Sequence, residues 1–264
     1  MIPPHLKVTH LSEIPWLSHG FFGRRGGVSK GEFNSLNIGL QKGDSLENVC
    51  QNRQRMADAL MMGNAPIVFA CQKHTNSVLV IDAPFKGDIP IADALVTKRK
   101  NLIIGVQTAD CVPVLFIDPI TKIIAAAHAG WKGLASGILQ NTITVMEELG
   151  ATRANIRAAI GPCIWSASYE VGSDVREAFP LFNDLFTPCK AFVNENKVNA
   201  RTTFCFDLPM AAYRTLQNNG ISSISPSPKD TYTHEHDFFS YRRSTHAGDS
   251  RFGGQASLIG MHNR

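Results

Sequence analysis

The sequence predicts a protein of mixed α and β structure with mixed β-sheets, rather than a doubly wound parallel fold. Short apolar runs typical of strands predominate, and helical patterns lie between them. At least one pair of these runs is separated by so few residues that it can form a β-hairpin, in which the two strands are antiparallel. No linker rich in Pro, Gly or Ser divides the 264 residues, a length that fits one large domain or two small ones.

The elements follow in order along the chain. A short N-terminal strand precedes the glycine-rich loop 23–29. A capping-box-like start at 44–47 and an apolar stripe predict a helix that ends near Met62, before Gly63. Further strands are predicted at 67–70, 78–82, 102–106, 156–160, 221–224 and 238–241. Further helices are predicted at 133–149, 173–179 and 208–218.

A hairpin is predicted where the apolar runs 112–117 and 123–127 flank Asp118-Pro-Ile-Thr121, a typical type I turn sequence. If the central two residues form the loop, Cys111 lies directly opposite His128. Opposed residues of an antiparallel pair point to the same face, with Cβ atoms roughly 4.5–5.5 Å apart. This arrangement suits two ligands of one metal ion, whereas a slip of one residue would place them on opposite faces.

A metal site gains a third candidate ligand in His74, within Cys71-Gln-Lys-His-Thr75. Catalytic zinc typically takes three protein ligands and keeps one position open, and imidazole and thiolate both suit it. The alternative is structural: Cys111 as a small buried hydrophobe and His128 bonded to a backbone carbonyl. Nothing local in the sequence ties His74 to the other two residues.

Composition limits the classes of function. Hydrophobic residues make up 44% of the chain, charged residues make up 18%, and the net charge is +4; these values indicate a globular core rather than disorder. The longest basic run is Lys98-Arg-Lys100, so no nucleic-acid surface is predicted. No signal peptide and no membrane span are predicted. The six scattered cysteines are predicted to be reduced thiols in a cytoplasmic protein.

Several residues are candidates for binding anions or moving protons, each with a structural alternative. Lys132 precedes a predicted helix, where backbone N–H groups favour anions, although the glycines there also suit a tight turn. Arg24 and Arg242 each carry a guanidinium group that could bind phosphate. The structural alternative is a hairpin turn with a solvated arginine for Arg24 and an edge strand for Arg242. Asp110 points away from Cys111 in a regular strand, unless a β-bulge re-aims it. Glu170 is a candidate proton carrier on a turn.

Taken together, these residues resemble the polyphenol-oxidase-like, laccase-domain family, which is associated with purine nucleoside phosphorylase activity and includes peptidoglycan editing factors. The similarity runs along nearly the whole chain. Its most specific motifs are Ala109-Asp-Cys-Val-Pro113 and His128-Ala-Gly-Trp-Lys-Gly133, in this order. Other matching motifs are Arg24-x-Gly-Gly-Val-Ser29, Ser35-Leu-Asn37, Gly43-Asp44, Asn52-Arg53, Gln72-x-His74, Ala92-Asp-Ala-Leu-Val-Thr97, Ala159-Ile-Gly-Pro162, Tyr169-Glu-Val-Gly172, Asp207-Leu208 and Phe238-Phe-Ser-Tyr-Arg-Arg243.

The resemblance implies a single domain, 1–264, of α+β class with mixed β-sheets layered between helices, an α/β/β/α-like sandwich. It implies zinc bound by His74, Cys111 and His128. It also implies phosphorolysis of adenosine, guanosine, inosine and methylthioadenosine, and hydrolytic deamination of adenosine. One departure is visible: Asp230-Thr231 stands where the family often has a Cys-Thr pair.

Within this expectation, the candidate roles divide into three groups. The metal ligands are His74, Cys111 and His128; the catalytic candidates are Cys111, Asp110 and Glu170; the substrate-binding candidates are Arg24, Lys132 and Arg242. The expected partners are purine nucleosides and inorganic phosphate, with no nucleic acid and no membrane, and the oligomeric state is left open. Zinc would lower the pKa of a bound water to about 7, which would give a hydroxide nucleophile for deamination at C6 of adenine.

The alternatives to a zinc nucleoside enzyme differ in class. Cys111 and His128 could act without metal as nucleophile and base of a hydrolase or amidase, for example on peptidoglycan precursors. A His2Cys set could also accept one copper ion. Multicopper polyphenol oxidation is disfavoured because it requires His-x-His arrays, whereas the chain has nine histidines and one such sequence, His234-Glu-His236. A non-catalytic binding module is the least favoured.

Overall fold

The computed structural model describes residues 2–40, 43–189, 203–226 and 229–263. The strands in these ranges are β1 His5–Leu6, β2 Leu17–Phe22, β3 Ile67–Val68, β4 Val78–Val80, β5 Ala94–Thr97, β6 Ile103–Thr108, β7 Val112–Asp118, β8 Ile123–Ala129, β9 Arg157–Ile160, β10 Glu170–Val171, β11 Phe186–Pro188, β12 Phe204–Phe206, β13 Ser223–Ser225 and β14 Gln255–Met261. The α-helices are α1 Thr9–Ser12, α2 Leu46–Ala59, α3 Trp131–Ala135, α4 Ile138–Glu148, α5 Ser173–Glu177, α6 Leu208–Asn218 and α7 Tyr241–Ala247.

Three β-sheets organise the described residues. A six-stranded sheet has the order β13-β9-β7-β8-β5-β4, a five-stranded sheet has the order β1-β2-β14-β6-β3, and a small sheet has the order β10-β12-β11. The two larger sheets each contain parallel and antiparallel pairs. This confirms the predicted α+β class with mixed sheets.

The layers are held together by three apolar clusters. One lies between the two large sheets, where Leu115 and Ile117 of β7 meet Ile104 of β6. A second joins the other face of the six-stranded sheet to α4 and α6, through residues such as Phe116 and Ile143. The third packs α2 on the five-stranded sheet. Successive β7 residues therefore face opposite layers, as strand geometry requires, and the layers follow the α/β/β/α order.

The hairpin of β7 and β8 forms, but its predicted loop is wrong. Asp118 pairs with Ile123, so four residues rather than two lie in the turn, and Pro113 instead of Cys111 lies opposite His128. The carboxylate of Asp118 accepts hydrogen bonds from the N–H groups of Ile120 and Thr121, at 2.8 and 3.1 Å, which stabilises the wider turn. The register moves by two residues, so Cys111 keeps the predicted face.

Two other predicted elements differ from the structure. The helix predicted at 133–149 is divided into α3 and α4 at Gly137, whose φ of +95° interrupts helical geometry. The strand predicted at 238–241 does not form. The backbone of Phe239 is bonded instead to the side-chain amide of Gln255, and Ser240 becomes the N-cap of α7 by accepting from Arg243 N.

The cysteines depart partly from the prediction of reduced thiols. Cys189 and Cys205 form a disulfide, with their Cα atoms 5.2 Å apart. The pairing of β11 with β12 brings these two positions together. Cys50, Cys71, Cys111 and Cys163 are free thiols.

Among the described residues, no helix has the length and apolar character needed to cross a membrane.

We expect the free energy of unfolding to fall as the pH drops from about 6.5 to 4, because of His19. This side chain is 2% exposed, and its Nε2 atom accepts a hydrogen bond from Val8 N at 2.9 Å. Burial, assisted by the charge of Lys7, lowers the pKa of His19 from 6.5 to about 4. In this pH range the unfolded chain binds more protons than the folded chain, which costs up to about 3 kcal/mol.

The measurement is urea unfolding at pH 7 and pH 4.5, with a chelator present to remove any metal contribution. His19→Gln keeps an acceptor for Val8 but cannot be protonated, so the variant should lose less stability on acidification. Equal losses in both proteins would show that His19 does not control this response.

Candidate metal centre

Three side chains from separate segments form one cluster that could hold a metal ion. His74 follows β3, Cys111 directly precedes β7, and His128 lies within β8. Their ligand atoms all lie within 4.8 Å of one another. The Cys111 Sγ atom is 3.7 Å from His74 Nε2, and the two imidazole rings meet edge to face with centroids 4.8 Å apart. The structure therefore brings together the three residues predicted as ligands.

The space between these ligands depends on Gly130. A Cβ atom at this position would lie 2.5 Å from His74 Cδ2 and 3.0 Å from Cys111 Sγ, both closer than normal contacts allow. The glycine-rich sequence after β8 was predicted to be a tight turn or an anion site. Its main contribution in the structure is to leave room for the side chains of the cluster.

Charge favours the metal-binding form of the thiol. Burial opposes ionisation of Cys111, but the His128 charge and hydrogen bonds from His128 and His74 lower the pKa of the thiol below its ordinary value. Burial would also lower the pKa of His128, whereas Cys111 and the hydrogen bond to Asp93 raise it. His128 therefore lowers the pKa of Cys111, and Cys111 in turn raises the pKa of His128.

The donor set fits a zinc ion. Two imidazoles and one thiolate are the kind of ligands found in catalytic zinc sites, which use three protein ligands. The missing Cβ of Gly130 keeps the shared space between Cys111 and His74 open. Copper can use the same donor types. Within residues 2–40, 43–189, 203–226 and 229–263, no other cluster of at least three His, Cys, Asp or Glu residues has metal-binding geometry.

Asp110 and Glu170, the two predicted proton carriers, are placed differently. The Asp110 carboxylate is buried and accepts hydrogen bonds from Thr231 Oγ1 at 2.6 Å, Ser240 Oγ at 2.9 Å and Arg242 N at 2.7 Å. Both of its oxygens are therefore engaged in joining the loops around Cys111. Glu170 lies in β10, where its backbone carbonyl accepts from Arg242 Nη1 at 2.8 Å.

The three predicted phosphate-binding residues lie in different surroundings. The guanidinium of Arg24 donates to the carbonyls of Asn34 and Glu235, at 2.8 and 3.1 Å, and lies over Phe239. Lys132 is exposed, with Nζ 5.4 Å from the ring centroid of Trp131. These contacts give Arg24 a structural role in the loop that carries it.

Arg242 is held near the loop of Glu170. Besides its bond to the Glu170 carbonyl, its guanidinium carbon lies 5.4 Å from the ring centroid of Tyr169. Its neighbour Arg243 donates to the carbonyls of Thr231, Tyr232 and Phe238 and so ties the last loops together. Of these two arginines, Arg243 is the more fully engaged with backbone carbonyls.

Asp93 is the residue of the cluster that the sequence did not single out. Its carboxylate lies 2.7 Å from His128 Nδ1. The only signal was its place in the motif Ala92-Asp-Ala-Leu-Val-Thr97, which contributed to the family resemblance but suggested no role. Its distance of 35 residues from His128 explains why local spacing could not reveal the contact.

The departure at Asp230 has a structural role. Its carboxylate accepts hydrogen bonds from Trp165 N at 3.2 Å, Tyr232 N at 3.0 Å and Ser168 Oγ at 2.9 Å. It thereby links the loop after β9 to the loop before α7. The next residue, Thr231, donates to Asp110, so this pair organises the surroundings of Cys111 without a thiol.

Two surface cavities, of about 510 and 460 Å³, do not include the cluster. The first is lined by residues such as Ser77 and Val145, the second by residues such as His10 and Lys229, and neither by His74, Cys111 or His128. The chemistry of the side chains, rather than the size of a cavity, therefore identifies the site.

The fold and the cluster together define a class of layered, mixed-sheet protein with a three-residue His-Cys-His site. The chain belongs to the family described as multi-copper polyphenol oxidoreductase laccase, whose model matches residues 18–262. This confirms the family resemblance found in the sequence.

Relatives of known name and structure support this assignment. The purine nucleoside phosphorylase Cgl2154/cg2365 of Corynebacterium glutamicum is 36% identical over 234 residues, 86% of this chain and 89% of its own length. The crystal structure of Neisseria meningitidis protein NMB0706 has a TM-score of 0.81 at 34% identity, covering 94% of this chain and 96% of that one. Bacillus licheniformis YfiH has a TM-score of 0.85 at 29% identity, covering 98% and 97%.

Proposed function

We propose that this chain is a zinc-dependent purine nucleoside phosphorylase, acting on adenosine, guanosine, inosine and methylthioadenosine, and that it also deaminates adenosine by hydrolysis. The observation that carries the proposal is the cluster of His74, Cys111 and His128, whose ligand atoms lie within 4.8 Å of one another. It occurs in a family whose relatives include named purine nucleoside phosphorylases. We further propose that residues 1–264 act as one domain in the cytoplasm.

His74, Cys111 and His128 would hold the metal. Bound zinc would supply Lewis-acid chemistry, which withdraws electrons from an oxygen atom and makes water a better nucleophile near neutral pH. The protein itself favours the form of Cys111 that binds zinc, because the lowered pKa of the thiol stabilises the thiolate. Burial of His128 protects this side of the site from water.

In phosphorolysis, a phosphate oxygen forms a bond to C1′ of the ribose while the bond from C1′ to the purine nitrogen breaks. The products are the ribose 1-phosphate and the free purine, which takes up a proton. The chain must therefore hold an anion against the sugar. We propose Arg242 as the main phosphate-binding residue, with Lys132 as a second cation, because Arg24 is bonded to two backbone carbonyls.

The pairing of Arg242 with the Glu170 carbonyl fixes one end of its guanidinium and leaves other N–H groups free to bind phosphate. We assign Asp110 to holding this arrangement, since it accepts from the backbone N–H of Arg242. Glu170 remains our candidate for moving a proton during deamination, because its side chain is half-buried on the same loop as Tyr169.

Replacing Arg242 by alanine is expected to raise the KM for phosphate by about 10- to 100-fold, because a charge-assisted hydrogen bond is lost. Deamination, which uses no phosphate, should change much less. Steady-state kinetics of both reactions on one preparation gives the comparison. Arg251→Ala is the matched control, because Arg251 is an exposed arginine bonded to Glu32. Equal losses in both reactions would assign Arg242 a structural role.

The proposed function is tested by measuring metal and activity on the same sample. Protein purified without added metal is subjected to elemental analysis, which also distinguishes zinc from copper. Adenosine turnover is then followed with and without phosphate, after chelation and after zinc is restored. About one zinc per chain, with activity lost on chelation and regained with zinc, supports the proposal. Phosphate-independent loss of adenosine identifies the deamination component.

A metal-independent hydrolase is the second candidate, and one contact favours it. Cys111, His128 and Asp93 are arranged in the order of nucleophile, base and orienting carboxylate, with Asp93 2.7 Å from His128 Nδ1. Such an enzyme would cleave amides, for example in peptidoglycan precursors. Protein that remains active without metal, and is inactivated by a thiol alkylator, would favour this candidate over the zinc enzyme.

A further inference from the structure

Asp93 is the most heavily hydrogen-bonded carboxylate around the cluster, and its side chain contacts the segments of both histidines. Its residue is 1% exposed. Asp93 Oδ1 accepts from His128 Nδ1 at 2.7 Å and from His74 N at 3.0 Å. Asp93 Oδ2 accepts from Lys73 N at 3.2 Å, Thr75 N at 2.7 Å and Thr75 Oγ1 at 2.8 Å. One carboxylate therefore joins a buried strand to an exposed loop.

The backbone of Asp93 gives a second connection to His128. The Asp93 carbonyl accepts from His128 N at 2.7 Å. Asp93 also precedes β5 directly, and Ala94 at the start of that strand pairs with Ala127 of β8. Asp93 is thus held against His128 at main chain and side chain, which leaves the imidazole little freedom to rotate.

The loop of His74 requires support of this kind. His74 has a φ of +61°, in the left-handed region that a residue with a Cβ rarely adopts. Three successive backbone N–H groups, of Lys73, His74 and Thr75, point at the two oxygens of Asp93. A carboxylate at the centre of this turn keeps the exposed His74 directed toward Cys111.

We propose that Asp93 is the positioning residue of this centre, acting on both histidines at once. Its oxygen accepts the Nδ1 proton of His128, so the tautomer that presents Nε2 to the metal is selected. Its bonds to residues 73–75 hold the His74 ring close enough to Cys111 for these two side chains and His128 to bind one metal ion. The role in metal binding rests on the proposed zinc function, whereas the selection of the His128 tautomer does not.

Asp93→Asn is the main test, because the amide has nearly the same shape but only one accepting oxygen. The single oxygen can keep either the bonds from His128 Nδ1 and His74 N or the bonds from Lys73 N and Thr75, so one of these two sets must be lost. We expect Zn²⁺ affinity, measured by competition with a chromogenic chelator, to fall 10- to 100-fold. In metal-free protein, ¹⁵N NMR of the histidine rings is recorded at a pH above the raised pKa of His128, where the ring is neutral. It should show His128 protonated at Nδ1 in the wild type and mixed tautomers in the variant.

Asp118→Asn is the matched control. Asp118 is fully buried at the other end of the same hairpin and accepts from the backbone N–H groups of Ile120, Thr121 and Thr152. Its replacement should lower stability by a similar mechanism but leave Zn²⁺ affinity and the His128 tautomer unchanged. Loss of Zn²⁺ affinity in both variants alike would mean that Asp93 acts only through general stability, and would overturn the proposal.

Thr75→Val provides a second test if Asp93→Asn does not fold, because it leaves the Asp93 carboxylate in place. It removes the bond from Thr75 Oγ1 to Asp93, together with the bond that Oγ1 accepts from Ser77 N at 3.2 Å. We expect a severalfold weaker Zn²⁺ affinity in this variant. Wild-type protein that binds no Zn²⁺ would contradict the proposed zinc function, and the NMR measurement would then decide on Asp93 separately. In Asp93→Asn, an unchanged His128 tautomer together with unchanged NMR signals of the backbone N–H groups of residues 73–75 would overturn the positioning role; a change in either would support it.

Discussion

Cys111→Ser is expected to lose bound zinc, phosphorolysis and deamination together. The thiolate is the only anionic ligand of the three, and a serine hydroxyl is not ionised at neutral pH. Since loss of a hydrogen bond to a ligand typically costs 10- to 100-fold in metal affinity, loss of a ligand itself should exceed about 100-fold. Elemental analysis and nucleoside turnover on one preparation provide the two readouts.

Cys50→Ser is the control for this substitution, because Cys50 is an exposed free thiol on α2. It should retain about one zinc per chain and full turnover. Activity that persists in Cys111→Ser without metal would disprove the zinc mechanism. Activity that is lost while zinc stays bound would point instead to Cys111 as a nucleophile, as in the hydrolase alternative.

Gly130→Ala should weaken zinc binding at least tenfold with little change in the stability of the metal-free protein. Gly130 has a φ of −69° and a ψ of 164°, which any residue adopts, so the backbone itself does not oppose alanine. The added Cβ would lie 2.5 Å from His74 Cδ2 and 3.0 Å from Cys111 Sγ. The exposed His74 ring can turn away to relieve the contact, but it then leaves the metal position.

The matched control is Gly172→Ala. Gly172 is also a helix N-cap with extended backbone, and a Cβ there would first meet Asp174 Oδ1, the end of a flexible side chain. Both variants carry the same small cost of alanine at an N-cap. Thermal unfolding of metal-free protein and Zn²⁺ titration distinguish the effects. Wild-type Zn²⁺ affinity in Gly130→Ala would show that the ligands do not occupy this geometry when metal binds.

The hairpin shows how a partly wrong prediction still located the site. The assumed two-residue loop placed Cys111 opposite His128, whereas Pro113 occupies that position. The error was an even number of residues, and side chains alternate between faces with a period of two, so the two ligands stayed on one face. Strand periodicity is a local property and can be read from the chain; the loop length depended on the bonds that Asp118 makes.

Local patterns also gave wrong predictions of strands where residues distant in the sequence bond the backbone. The strand predicted at 238–241 had suitable residues, but the Gln255 side chain bonds the backbone of Phe239 and Ser240 caps α7. The strand β14, at the centre of the five-stranded sheet, was not predicted at all. Its partners β2 and β6 are far away in the sequence, and burial on both faces removes the polar alternation that marks exposed strands.

By itself, the sequence determined the mixed class of the fold, the α6 helix, the family resemblance and the identity of His74, Cys111 and His128. The fold class and the helix depend on residue type and short-range periodicity, whereas the set of three ligands follows from the family resemblance. Only the tertiary structure determined how closely His74 approaches the other two, that Gly130 leaves room for them, and that Asp93 contacts both histidines. The reason is physical: these contacts arise where β3, β5, β7 and β8 converge, and the carboxylate–imidazole contact spans 35 residues, beyond the reach of local patterns.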